Sequence, residues 1–301
     1  MRKFIEMRNL IARILYILFY YKIVKEAKRK DIILSIYGHD QQKEPFEKMI
    51  KWLITHGYKF ITAEKLYDLI SQKTPLDKKY VWLSFDDGWK SGYDNVLPIL
   101  KKYNIPATFF IATKGIDDGY YWFLQAKQNR NFNLYNEIDE LWKMSNAERK
   151  KIIEQLPPYI GERITMNVSE LQMMQESGFA NFGNHTHDHV MSDKCTKNEL
   201  SLEIDKCSEI MKSITGDNCS LIYSYPNGNM DNMSRELIIE KGFKMAATTK
   251  LGYIRPGDDP YYLFRNEFKN GTLEENLLQI YNIWTPFFNN IKKILRIQDK
   301  K

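Results

Sequence analysis

The sequence predicts an α/β fold: a distorted (β/α)7-type barrel with a helical insertion and basic, apolar terminal helices. Short apolar runs alternate with amphipathic stretches at the spacing of βα units, which points to parallel strands. Glycine and polar clusters follow the runs, and the alternation breaks only once, between about 114 and 166. A chain of 301 residues with 43% hydrophobic content can bury one large core.

DIILSIY (31–37) is the first buried strand and opens at Gly38-His39-Asp40 into a loop. Phe46, Met49, Ile50 and Leu53 have helical spacing, Gly57 stops that helix, and Thr62 caps the next, ITAEKLYDLISQK. YVWLSF (80–85), a helix over about 91–103 and PATFFIA (106–112) continue the rhythm. Residues 114–166 are rich in Tyr, Trp, Asn and Lys, with one charged helical stretch near 146–156, and read as an insertion. A helix at about 168–177, the strand FANFGNH, a helix over 196–214, the strand LIYSYP, a helix near 231–241 and FKMAATT complete the barrel. The expected division is 1–30 as a basic amphipathic segment, 31–272 as the α/β domain with its insertion at about 114–166, and 273–301 as a basic C-terminal helix.

The net charge of +6 sits at the ends. Residues 1–30 hold nine Lys or Arg against two Glu, and residues 276–301 hold five against one acidic residue, so the stretch between is net negative. Both ends are also apolar, unlike nucleic-acid tails, and no nucleic-acid partner is expected. LIARILYILFYYKIV (10–24) is fifteen residues long and broken by Arg13, short of the roughly 20 residues a spanning helix needs. Arg2, Glu6, Asn9, Arg13, Tyr16 and Tyr20 form one stripe of a helix otherwise covered by Ile, Leu and Phe. That pattern fits a helix lying on a membrane surface, or one packed on its own domain or another subunit. Glu6 and Arg13 do not suit a cleaved signal peptide. Cys195, Cys207 and Cys219 are twelve apart, too far for a CxxC pair, and are expected to be ordinary reduced cysteines.

Two stretches carry chemistry. Ser84-Phe85-Asp86-Asp87-Gly88-Trp89 puts two carboxylates directly after a strand, where consecutive side chains diverge and can take different tasks. His185-Thr186-His187-Asp188-His189 holds three of the five histidines and can be read as HxH or as HxxxH. In the second register, His185 and His189 would share one side of a helical turn, as metal coordination requires. Two His, one carboxylate and open positions describe a catalytic rather than a structural metal site. Taken singly, an Asp-Asp or a His pair is more often solvated loop or hydrogen-bonded core.

Together and in order, these stretches resemble the polysaccharide deacetylase family, the NodB-like carbohydrate esterase family 4. Ser84-Phe85-Asp86-Asp87-Gly88 is similar to its T-F-D-D-G motif with Ser for Thr, and His185-Thr186-His187-Asp188-His189 matches H-[ST]-x-x-H. Tyr225-Pro226-Asn227-Gly228 lies near P-Y-G, with Asn in place of Tyr. The resemblance covers about 31–265 and implies Asp87, His185 and His189 as ligands of a divalent metal, Zn²⁺ first, with Co²⁺, Ni²⁺ or Fe²⁺ as options. It implies Asp86 as general base and the backbone N–H of Asn227 as an oxyanion donor, with Tyr225 and Pro226 beside the substrate. A metallo-β-lactamase register, H-x-H-x-D-H, fails because His187-Asp188-His189 lacks the spacer and no histidine follows. His187 is then expected behind the ligands or exposed, and His56 at a helix end.

Family members often set an arginine against the base; LIYSYPNG has none, and Arg265 in YLFRNEF is the candidate to reach Asp86. The late L-x-H histidine of many members is absent as well. In the permuted branch resembling biofilm poly-N-acetylglucosamine deacetylases, a histidine after the first strand serves as general acid, and His39 stands there. The expected function is removal of N-acetyl groups from an amino sugar in a surface glycan or lipid-linked saccharide. A catalytically silent carbohydrate-binding protein is the alternative. The expected place is the cytoplasmic face of a membrane, with an extracytoplasmic position behind an uncleaved N-terminal anchor as the other option.

Overall fold

The computed structural model describes residues 2–72, 75–129, 138–216 and 221–294. Cys219 and the basic residues Arg296, Lys300 and Lys301 lie outside the described residues. The chain begins with α1 (Arg2–Ala27), then β1 (Ile33–Gly38), α2 (Lys43–Thr55), β2 (Tyr58–Ile61), α3 (Ala63–Ser71) and β3 (Lys79–Phe85). Thr62 caps α3, its side chain accepting the Lys65 N–H. A π-helical turn, Gly92–Val96, leads into α4 (Leu97–Tyr103), followed by β4 (Ala107–Ile111).

Among its described residues the insertion contributes four helices where the sequence suggested one: α5 (Lys114–Asp118), α6 (Trp122–Gln128), α7 (Ile138–Lys143) and α8 (Asn146–Gln155). The first three are each seven residues or fewer, too short to display an apolar periodicity. α9 (Val168–Glu176), β5 (Ala180–Asn184), α10 (Lys197–Thr215), β6 (Ile222–Ser224), α11 (Asn232–Glu240), β7 (Met245–Ala247), β8 (Asn266–Glu267), α12 (Leu273–Ile280) and α13 (Trp284–Ile294) follow.

The strands form one parallel sheet in the order β7-β6-β5-β4-β3-β1-β8, with β2 on the first half of β3. β2 and β8 have no clear sequence signature: YKFI is half polar, and β8 is two residues long. Leu263 exchanges hydrogen bonds with Ala246 and Thr248 beside β7, and the chain then pairs β8 with β1. This curls the sheet round into a distorted barrel.

Period-2 alternation assigns the two faces of each strand. Val81, Leu83 and Phe85 of β3 and Phe109 and Ile111 of β4 point out to a helix-covered core, while Trp82, Phe110, Ile222 and Met245 fill the interior. Trp82 Nε1 donates to Thr108 Oγ1 (2.9 Å) within that interior. In the parallel register Gly38 lies opposite Phe85, Phe85 opposite Phe109, and Ile111 opposite Asn184. The strands therefore end together, and the residues that follow them share one rim. α1 packs Ala12, Leu15, Ile23 and Ala27 on the domain, chiefly along α12, where Arg8 pairs with the buried Glu275.

Gly183 of β5 lies where the barrel interior is closely packed. A Cβ there would stand 2.5 Å from the Phe110 ring and 2.8 Å from the Ile222 carbonyl. Gly183→Ala should destabilise the domain by about 1–3 kcal/mol, the usual cost of overpacking. Thermal or urea denaturation checks this.

Candidate active site

Asp86 continues the inward alternation of β3, two positions after Ser84, and both side chains meet Arg265. The guanidinium donates to Asp86 Oδ1 (2.7 Å) and Oδ2 (2.8 Å), to Ser84 Oγ (3.1 Å), to Ser224 Oγ (3.0 Å) and to the Thr248 carbonyl (2.8 Å). It is fully buried and lies 4.4 Å from the Tyr37 ring centre. Burial alone would raise the Asp86 carboxyl, but the charge and paired hydrogen bonds of Arg265 outweigh it and hold the group below its ordinary range. The sequence reading of Arg265 against Asp86 matches this geometry. Arg265 sits just before β8, however, rather than after a late strand.

Asp87 turns the other way because its φ is +73°, a left-handed conformation uncommon outside glycine. Its Oδ2 accepts from Trp89 Nε1 (2.7 Å). Its Oδ1 faces Nε2 of His185 (3.3 Å) and Nε2 of His189 (3.2 Å). The two imidazoles do not come from a helical turn, as their spacing suggested. Residues 185–190 form a loop in which Thr186 and His189 have φ of +64° and +46°. Asn184 Oδ1 accepts the Thr186 N–H (2.9 Å) and Thr186 Oγ1 the Val190 N–H (3.0 Å), which ties the loop closed. Burial raises the Asp87 carboxyl, yet the two histidines drive it well below the ordinary range; burial lowers His189.

The donor set fits a metal ion. His185 Nδ1 spends its proton on the Ser224 carbonyl (2.8 Å), so Nε2 is the atom offered to Asp87. Asp87 Oδ1, buried, has no hydrogen-bond donor. Buried acceptors facing one another call for a cation between them. Ligand atoms about 2.1 Å from a tetrahedral ion stand roughly 3.4 Å apart, close to the spacing here. Asp87, His185 and His189 are the group among the described residues placed to hold one.

The triad floors a cavity of about 370 Å³. His39, beyond the end of β1, lines it with its ring 5.6 Å from that of Tyr37. Asn227 lines it too, at φ +58°. Gly228 beside it is enforced, since a Cβ would fall 2.0 Å from Thr249 Oγ1. Tyr225 and Pro226 are buried, and neither lines the cavity. Tyr225 packs edge-on to Tyr223 and directs its hydroxyl to the Tyr261 carbonyl, so these two residues set the backbone of Asn227. His187 is buried behind the loop, Nδ1 against Thr113 Oγ1 (2.9 Å), where burial pushes it down to about 4. His56 caps α2 and stacks on Trp52.

Sequence reasoning missed the cavity's aromatic wall of Trp89, Phe123 and Trp142, and also Glu267 of β8. Phe123 and Trp142 come from the insertion and stand 5.4 and 5.9 Å from the His189 ring. Their only signal was the aromatic richness of 114–166.

A parallel barrel carrying an Asp-His-His triad beside a second, arginine-held carboxylate suits a hydrolase that works with a divalent metal. The family model described as "Polysaccharide deacetylase" matches residues 73–246, and the chain belongs to that family. It is similar to poly-beta-1,6-N-acetyl-D-glucosamine N-deacetylase of Staphylococcus aureus, at 28% identity over 243 residues, 77% of this chain and 68% of the relative. The Staphylococcus epidermidis protein of the same name is 24% identical over 269 residues, 85% and 79% of the two chains. Among solved structures, IcaB from Ammonifex degensii (TM-score 0.62, 19% identity, 84% of this chain and 97% of that one) shares the fold. So does the Streptococcus pyogenes deacetylase PplD in complex with acetate (0.62, 19%, 84% and 98%). The chain is thus a hydrolytic polysaccharide deacetylase, and the silent-binder alternative is not favoured.

Arg265→Lys keeps the positive charge but loses the planar two-donor contact. Turnover should fall by roughly tenfold or more with bound metal per chain unchanged, a part of the 10²–10⁴ that positioned acid–base groups contribute. Metal analysis of the purified variant beside its kcat checks this.

Proposed function

We propose that this enzyme removes N-acetyl groups from a β-1,6-linked poly-N-acetylglucosamine, with Zn²⁺ held by Asp87, His185 and His189. The polymer is named by the relatives at 24–28% identity, and the ion by the pairing of two imidazoles with one carboxylate. The observation that carries the reading is the division between the two adjacent carboxylates: Asp87 faces two imidazoles, while Asp86 is held by Arg265.

A divalent ion there supplies a positive charge that acidifies water and polarises the acetamide carbonyl. Asp86, kept ionised by Arg265, accepts a proton from the attacking water as its oxygen bonds to the acetyl carbon. The backbone N–H of Asn227, presented by its left-handed conformation, donates to the oxygen that gains charge. His39 gives a proton to the sugar nitrogen as the C–N bond breaks, releasing acetate and a free amine. Trp89, Phe123 and Trp142 offer apolar faces to the pyranose rings.

Acetate release from β-1,6-linked N-acetylglucosamine oligomers with added Zn²⁺ should exceed that from β-1,4-linked oligomers. Turnover of the β-1,4 series alone would overturn the substrate assignment, and none on either, with metal bound, would overturn the activity. His39→Gln should leave metal content intact and lower kcat by about 10²-fold or more. Normal turnover in that variant would move the acid to another group.

A further inference from the structure

α1 has two apolar faces, and the domain uses one. Ala12, Leu15, Ile23 and Ala27 are buried against the barrel's helices. On the opposite side Leu10, Ile17, Leu18 and Tyr21 are 58, 73, 70 and 82% exposed, with Met7 and Ile14 about half exposed between and above them. The polar stripe read from the sequence runs along one border between the faces; on the other side the apolar surface continues through Leu18 and Ile11. Arg13 flanks the outward stripe on one side and Lys25 on the other, Lys28 continues it below Tyr21, and all three are exposed.

We propose that this outward face of α1 docks on an anionic lipid surface. The stripe from Met7 to Tyr21 is about 21 Å long at 1.5 Å per residue, and the exposed basic side chains of Arg13, Lys25 and Lys28 outnumber the one acid on its border, Glu6. That combination matches apolar insertion at a lipid boundary with attraction to acidic headgroups. No described helix is long and apolar enough to cross a membrane, so the contact lies in the plane of the surface. A second copy of the helix fits less well. Met7, Leu10, Ile14, Ile17 and Tyr21 have the 3-4 spacing of a coiled-coil seam, but the flanking pairs in a parallel dimer would be Glu6 with Ile11, Arg13 with Leu18 and Tyr20 with Lys25. None joins opposite charges, and Ile11 is already packed against the core.

The placement bears on the catalytic cavity. The lower end of α1 feeds β1 from the side opposite the rim, whereas Arg8 meets Glu275 in the first turn of α12, just after β8, whose Glu267 lines the cavity. The helix therefore runs up the side of the barrel to the level of the rim. Docked by this face, the enzyme would open its cavity alongside the lipid surface, where a glycan leaves the membrane.

Co-sedimentation of the full chain with vesicles tests this. Binding is expected to phosphatidylcholine mixed with phosphatidylglycerol, to weaken with salt, and to be slight with phosphatidylcholine alone. Leu18→Glu and Ile17→Glu, at exposed positions, should each lower binding at least about tenfold, the order expected from losing one buried apolar side chain. Their acetate release from soluble oligomers should equal that of the parent, which separates this outcome from any failure of the proposed activity. Three results would overturn the proposal: no vesicle binding, binding that ignores lipid charge, or concentration-dependent dimerisation abolished by Leu18→Glu without vesicle binding.

Discussion

Two carboxylates that are neighbours in the chain and both buried would repel each other and lose their hydration unless each had its own counter-charge. The site is organised around that constraint. Asp86 is neutralised from below by the Arg265 guanidinium, while Asp87 faces two imidazoles in a geometry that would let a divalent cation supply its counter-charge. The separation needs one backbone device, the left-handed Asp87, which breaks the strand alternation and sends its side chain away from that of Asp86.

The barrel interior exists to make this affordable. Arg265 could not be buried with Asp86 as its sole partner, because the guanidinium carries five donors. Ser84, Ser224 and the Thr248 carbonyl take the remainder, from β3, β6 and the segment after β7. The same β6 end supplies the Ser224 carbonyl that orients His185. One short strand thus serves both carboxylates, and a shift in its register would disturb base and metal ligands together. The insertion closes the cavity's other side, with Arg149 stacked on Trp122 at 4.5 Å and held by Asn146.

Much of this was legible in the sequence because it is local. Four of the strands that end at the rim, β1, β3, β4 and β5, are largely buried runs of five to seven residues, and the two motifs follow two of them directly. What failed was inference about pieces set by distant contacts. The spacing of His185 and His189 suggested a helical turn, since spacing alone cannot show that Asn184 and Thr186 close a loop instead. Tyr225 was read as touching substrate from its place in a motif, yet its side chain is core and Asn227, two residues on, is what lines the cavity. β8 is too short to signal itself, so Glu267 could not be found, and Phe123 and Trp142 of the aromatic wall come from helices too short to show a period. Arg265 was legible because the usual arginine position is empty and a buried base needs a cation.

The central claim is that Asp87, and not Asp86, belongs to the metal. A crystal of the full chain soaked in Zn²⁺, with anomalous diffraction at the zinc edge, tests it most directly. The account predicts one ion about 2.0–2.2 Å from a carboxylate oxygen of Asp87 and from Nε2 of His185 and His189, with Arg265 still paired to both oxygens of Asp86. An ion ligated by Asp86, or one that draws Asp86 away from Arg265, would contradict it.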